Sequence, residues 1–222
     1  MGCNIAIDGP AGAGKSTIAR KVAQELSFIY VDTGAMYRAI ALYLLNQGVD
    51  SDQEKISEVC KGAEVSIEYK DGEQIVILNG ENVNALIRTE QVGNMASVSS
   101  ANPKVREHLL KIQRTLAEEN NVVMDGRDIG TTILPNAQVK IYLTASAQTR
   151  AKRRALEYDQ KNVAYDFDKV LQDIIERDER DMNREISPLK QAEDAVLVDS
   201  SEMGIDEVVN TILEIYRQKV NA

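Results

Sequence analysis

One short run near the N-terminus constrains the fold more than anything else in the chain. Gly9-Pro10-Ala11-Gly12-Ala13-Gly14-Lys15-Ser16-Thr17 satisfies the pattern G-x-x-x-x-G-K-[ST]. It follows an apolar stretch, Asn4–Asp8, that reads as a strand, and it opens Ser16–Leu26, which reads as a helix. In that setting the glycines let backbone N–H groups turn inward around phosphate oxygens, and the helix N-terminus adds the positive end of its dipole. Lys15 is expected to reach the β- and γ-phosphates of ATP, and the Ser16 hydroxyl to hold Mg²⁺. Ligands of open α/β sheets bind outside the carboxyl ends of the strands, so the loop points to a parallel sheet.

The rest of the pattern agrees. Phe28–Asp32, Val122–Asp125, Val139–Thr144 and Ala195–Val198 are short apolar runs, several of them apolar at consecutive positions as in strands covered on both faces. Helical patterns lie between and after them at Ala35–Gln47, Lys104–Glu119, Ala147–Tyr158, Asp166–Arg184 and Ile205–Val220. The alternation predicts an α/β fold, a five-stranded parallel sheet with helices on both faces. One stretch breaks it. Ala63–Tyr69 and Glu73–Leu78 flank Lys70-Asp71-Gly72, and Asn79-Gly80 follows; Asp-Gly and Asn-Gly both favour tight hairpin turns. A small antiparallel insertion is therefore expected from about Val59 to Ala101.

Composition removes several function classes. A net charge of −9 repels nucleic-acid phosphates, and a chain with no Trp and two Phe lacks an aromatic stacking platform, so no nucleic-acid partner is expected. Cys3 and Cys60 have no metal-like spacing; two thiols in 222 residues fit a reducing compartment, with a single disulfide left open. The one histidine, His108, leaves no pair for a zinc site and strains any Ser-His-Asp scheme; surface or packing suits it better than chemistry. No secretory pattern opens the chain and no apolar run reaches membrane-spanning length. A cytoplasmic protein with no membrane partner is expected, and nothing demands more than a monomer.

Two basic clusters suggest what the loop works with. Asp125-Gly126-Arg127-Asp128 ends a predicted strand at the edge where ligands bind, and Asp125 resembles the acidic end of a Walker B strand. Taken alone, it is equally an ordinary strand-to-turn exit. In Glu176–Arg184, the residues Arg177, Arg180 and Arg184 fall at i, i+3 and i+7, one face of a helix, and Arg177 and Asp181 are an i,i+4 pair. Such runs are usually solvated faces. Phosphoryl transfer, however, needs cations that close over the transferring oxygens, and Arg150, Lys152, Arg153 and Arg154 add charge just upstream.

These segments together carry a resemblance. The loop, Asp32-Thr33-Gly34-Ala35-Met36-Tyr37-Arg38, Val105-Arg106-Glu107, the DGRDIGT run at Asp125–Thr131 and the run R-D-E-R-D-M-N-R-x-x-x-P-L at Arg177–Leu189 resemble the bacterial-type cytidylate kinases of the nucleoside monophosphate kinase family. The likeness runs through essentially the whole chain. It implies a core of residues 1–33, 102–146 and 190–222, a monophosphate-binding region of about 34–101 carrying the insertion, and a helical lid of about 147–189. It implies transfer from ATP to CMP, and to dCMP, with Mg²⁺ required, in pyrimidine nucleotide metabolism. Lys15, Arg127 and Arg184 would be catalytic. Arg38, Arg127 and Arg184 would hold the acceptor phosphate and the transferring group; Ser97, Arg106 and Asp128 would read cytosine; Arg177 and Asp181 would contact the sugar. Thr33, also in the acceptor site, stands where the family often has Ser.

The chemistry of base choice is consistent with that implication. Asp128 can accept from the N4 amino group of cytosine, and Arg106 can donate to N3 or O2. Uracil places an acceptor against the carboxylate, and sites built for a donor reject the analogue lacking it by up to about 10⁴. A kinase for another monophosphate, for shikimate or for gluconate would share the loop without needing Asp128, Arg106 or the insertion. A nucleotide-switch GTPase would need N-K-x-D, which the chain does not contain.

Overall fold

The structure, a computed structural model describing residues 2–220, turns the alternation into a layered sheet. In chain order the elements are β1 (Asn4–Asp8), α1 (Lys15–Leu26), β2 (Ile29–Asp32), α2 (Thr33–Asn46), α3 (Gln53–Val59), β3 (Val65–Lys70), β4 (Glu73–Leu78), β5 (Glu81–Asn82), α4 (Glu90–Ser99), α5 (Pro103–Glu119), β6 (Val122–Gly126), β7 (Val139–Thr144), α6 (Ala147–Gln160), α7 (Phe167–Asn183), β8 (Val196–Asp199) and α8 (Ile205–Val220). Five strands pair in parallel in the order β2-β6-β1-β7-β8, with Ile5 opposite Val123 and Val139. The chain steps outward from β1 to β2 and later crosses β1 to β7, so the order reverses beside β1, where such sheets open a ligand crevice.

The consecutive apolar residues of the strands divide between two cores. Ile5, Ile7, Tyr30, Val123, Val139 and Ile141 pack with α1 and α8, while Ala6, Val31, Val122 and Met124 face α2 and α5. Strand side chains alternate between faces, so a strand buried on both sides must be apolar throughout. The carboxylates of β1, β2 and β6, Asp8, Asp32 and Asp125, lie at the carboxyl ends of these strands and are all buried. They belong to the crevice instead of the core.

The insertion contains the expected hairpin. Asp71 and Gly72 link β3 to β4, and Asn79 and Gly80 link β4 to β5, all four at positive φ, as type I′ turns require. It is not wholly antiparallel sheet, because α4 completes it, and the short α3 that precedes it was not anticipated. The insertion also covers the free edge of β2. The Gln74 side chain accepts from Asp32 N at 2.8 Å and donates to Asp32 O at 3.1 Å, pairing as a strand neighbour would. Tyr69 OH donates to Tyr30 O at 3.1 Å. Side chains here do what a further strand would do for an exposed edge.

Candidate active site

The loop after β1 wraps back on itself at the start of α1. Gly9 has φ 150°, and a Cβ there would stand 1.9 Å from Leu143 O, so only glycine lets the loop leave between β1 and β7. Lys15 is buried, and its Nζ donates to Pro10 O at 2.7 Å. Burial, and next the repulsion of Arg127, lower the Lys15 ammonium to about 7 against the pull of Asp125 and Asp8. Ser16 Oγ donates to Asp125 Oδ2 at 3.0 Å, and Tyr30 OH donates to Oδ1 at 2.9 Å. Burial, then the neighbouring Asp32, raise Asp125 to about 6. Asp8, the residue before the loop, accepts from Ile129 N and Gly130 N, both at 2.7 Å. Strand β1 thereby fixes the turn that follows Asp128.

Across the crevice lies a pocket of side chains from distant segments. Asp128 is 2% exposed and pairs through Oδ2 with Arg106 of α5, whose guanidinium also donates to Ser100 O at 3.2 Å and lies over the Tyr37 ring, 5.6 Å from its centre. Arg184 Nη2 stands 3.7 Å from Asp128 Oδ1, beyond hydrogen-bond range, so that oxygen keeps accepting capacity. Ser97 Oγ, on α4, is buried without a partner. Asp181 accepts from Arg127 Nε at 3.0 Å. Although burial works to raise the Asp181 carboxyl, Arg127 and Arg177 hold it below the usual range. Burial, then Arg127, push Arg177 down to about 10, and its Nε has no partner.

One cavity of about 620 Å³ joins the two sides. Nine cationic side chains and five carboxylates line it, a positive interior in a chain of net charge −9. The basic residues are segregated into the cleft, which suits a polyanionic small molecule and leaves the outside acidic. Helices α6 and α7 pack together over this side. Arg150 ties them to the loop, donating to Ala11 O at 3.0 Å and to both Asp178 oxygens, at 3.1 and 2.5 Å.

The singled-out residues Ala11 to Thr17, Thr33, Arg38, Ser97, Arg106, Arg127, Asp128, Arg177, Asp181 and Arg184 all line the cavity. Gly9 and Pro10 do not; they lie buried behind the loop. The single helical face drawn through Arg177, Arg180 and Arg184 is corrected. Helix α7 ends at Asn183, Arg184 is extended (ψ 141°), and Arg180 is exposed outside the cavity lining. Arg184 reaches the pocket because the chain leaves the helix, its Nε donating to Ser187 O at 2.5 Å. His108 Nε2 lies 2.6 Å from Ala63 O, joining α5 to the insertion, and both cysteines are free. Sequence reasoning missed Tyr37, Ser100 and Arg88 as lining residues, along with Ser200, Met203 and Gly204 beside the loop. The last three carry no charge pattern; Tyr37 signals only through its place one residue before Arg38.

Comparison with known proteins places this cleft in context. The family model described as cytidylate kinase matches residues 5–218. The chain is 49% identical over 218 residues to the cytidylate kinase of Caldicellulosiruptor bescii, covering 98% of this chain and 96% of that one. It is 47% identical to the cytidylate kinase of Bacillus subtilis, covering 97% of each. Among solved structures, the shikimate kinase of Bacteroides thetaiotaomicron aligns over 97% of this chain and 98% of its own, with TM-score 0.51 and 13% identity, a likeness of fold.

Proposed function

The chain belongs to the cytidylate kinase family, and on that premise we propose that it transfers the γ-phosphoryl group of ATP to CMP or dCMP, giving ADP and CDP or dCDP in pyrimidine nucleotide metabolism. The observation that carries the reading is the buried Asp128–Arg106 pair, with one Asp128 oxygen still able to accept, in the same cavity as the phosphate-binding loop. Asp128 would accept from cytosine N4, Arg106 would donate to the ring, and the unpartnered Ser97 hydroxyl would complete the base site. Arg177 and Asp181 would hold the sugar. Thr33, whose hydroxyl donates to Asp125 O at 2.7 Å, lies at the start of α2, the helix that also carries Arg38.

The reaction needs no protein base, because the acceptor phosphate is already an anion near neutral pH and the transition state is loose. Positioning and charge neutralisation dominate. Lys15, Arg127 and Arg184 would neutralise charge on the transferring group, with Arg38 on the acceptor phosphate. Helices α6 and α7, as a lid, would exclude water and suppress ATP hydrolysis. The Ser16 hydroxyl and Asp125 carboxylate, 3.0 Å apart, are the hard oxygen donors Mg²⁺ takes when nucleotide phosphates supply further ligands. When bound there, Mg²⁺ would neutralise charge on the β- and γ-phosphates. A single chain supplies both the loop and the residues proposed for the acceptor, so the reaction needs no second subunit, and we take the enzyme as a monomer. Among the described residues no helix is long and apolar enough to cross a membrane; we place the enzyme in the cytoplasm.

A coupled ADP-release assay with ATP, Mg²⁺ and a panel of CMP, dCMP, UMP, AMP, GMP and no acceptor tests this function. Turnover with CMP and dCMP far above the others is expected. Turnover with another acceptor instead would keep the fold and overturn the base reading.

A further inference from the structure

The insertion brings into the cleft a cation that no sequence motif marks. Arg88 stands at its C-terminal side, just before Thr89, the N-cap of α4, and lines the same cavity as the loop and Arg38. Its Nη2 donates to Asp32 Oδ2 at 2.9 Å, its sole protein hydrogen bond among the described residues, and its side chain is 56% exposed. A guanidinium has five N–H donors, so this pairing leaves most of them for something in the cleft.

Arg38 is held beside it. Arg38 Nη1 donates to the carbonyl of Ile87, the residue preceding Arg88, at 3.1 Å. Near the same nitrogen α4 presents Gly93, where a Cβ would stand 3.1 Å from Arg38 Nη1. The missing Cβ lets the Arg38 guanidinium lie against α4 next to the residue that precedes Arg88. Asp32 Oδ1 is already engaged, capping α2 by accepting from Ala35 N at 2.9 Å. Two guanidiniums thus face Asp32, which divides its oxygens between the α2 cap and Arg88. The cavity they line holds nine cations against five carboxylates, an excess that an entering anion neutralises, and forked N–H donors match phosphate oxygens. Gln74 fixes the registration, since its amide holds the insertion to the backbone of the same Asp32.

We propose that Arg88 is a further acceptor-phosphate-binding residue, delivered from the insertion side, with Asp32 holding its guanidinium ready beside Arg38. The proposal rests on the function proposed above and extends the phosphate site beyond Arg38, Arg127 and Arg184. The rival role is purely structural, with Arg88 anchoring the insertion to Asp32.

The two roles differ in what they do to base selectivity. A phosphate contact is blind to the base, whereas a loosened insertion disturbs α4 and the base site that holds Ser97. Steady-state kinetics of wild type, Arg88→Ala and Arg88→Lys with CMP, dCMP and UMP would separate them. Loss of a charge-assisted contact should lower kcat/KM for all three acceptors by the same factor, about 10- to 100-fold. The KM for ATP should stay within about 2-fold of wild type. Lys should recover part of the loss, since it keeps the charge but not the fork. With an active wild type, an unchanged Arg88→Ala variant, or one whose CMP/UMP ratio shifts, overturns the assignment of Arg88 alone. A wild type that leaves CMP unphosphorylated overturns the underlying function and this proposal with it.

Discussion

The phosphate-binding loop is nine consecutive residues that run from the end of one strand into the first turn of one helix, whereas the facing pocket draws Arg38, Ser97, Arg106, Asp128 and Arg184 from five separate segments. On the proposed function the loop would bind largely through its backbone, with the Lys15 and Ser16 side chains added, and it needs a side chain absent where Gly9 passes Leu143. In the pocket the side chains would do the binding, and the backbone matters by bringing them together. The Asp8 carboxylate joins the two, since it precedes the loop and anchors the turn after Asp128. A site made of backbone is robust and generic. A site made of assembled side chains is selective and sensitive to each member.

That contrast can be broken or sharpened by substitution. The largest expected effect is that of Arg184→Ala on turnover. Arg184 is placed by a chain exit beyond α7 and faces Asp128 in the cavity. Removing a group that neutralises transition-state charge should lower kcat by about 10²- to 10³-fold. ATP affinity, measured by titration calorimetry, should barely change; intact turnover would remove Arg184 from the chemistry.

Next in size is Gly9→Ala, which tests the loop as backbone. A methyl group 1.9 Å from Leu143 O has nowhere to go, and overpacking of this kind should destabilise the fold by about 3 kcal/mol in urea unfolding. Wild-type stability in that variant would show that the loop has room to spare.

A smaller effect concerns protons. Free Lys15 sits near 7, largely through burial. Nucleotide phosphates favour the ammonium and raise that value, so ATP binding should take up a proton between the free and bound values. ATP affinity should therefore fall as pH rises above 7, by at most about tenfold per pH unit for one proton. Calorimetry in two buffers of different ionisation enthalpy measures the uptake, and proton release would contradict it.

The smallest expected effect is that of Gln74→Ala. Two hydrogen bonds to the Asp32 backbone are lost, each contributing about 1 kcal/mol, and the insertion should seat less firmly. The KM for CMP should rise several-fold with the KM for ATP unchanged. Equal changes in both would show that the insertion serves the whole cleft and not the acceptor side alone.

The same contrast explains what could be read from the chain in advance. The loop is local in sequence, so its spacing, the strand before it and the helix after it were all legible. So was the hairpin, since Asp71-Gly72 and Asn79-Gly80 encode their turns in adjacent residues. The acceptor pocket is not local, and the residues proposed for it came from family likeness across scattered motifs. Periodicity failed where the helix ended: Arg180 and Arg184 were drawn on one face, but α7 stops at Asn183 and Arg180 faces outward. Arg88 was invisible because its neighbours in the cleft, Asp32 and Arg38, lie some fifty residues upstream and meet it only after β2, α2 and the insertion pack. Helix α3 is seven residues long, too short for a period to show.

The central claim is that one cleft couples a generic phosphate loop to a cytosine reader centred on Asp128. Its most direct test is the ratio of kcat/KM for CMP to that for UMP, measured in wild type and in Asp128→Ala with the KM for ATP as control. The account predicts a strong wild-type preference for CMP, a ratio that collapses in the variant, and an ATP KM that hardly moves. A ratio unchanged by the substitution would contradict it.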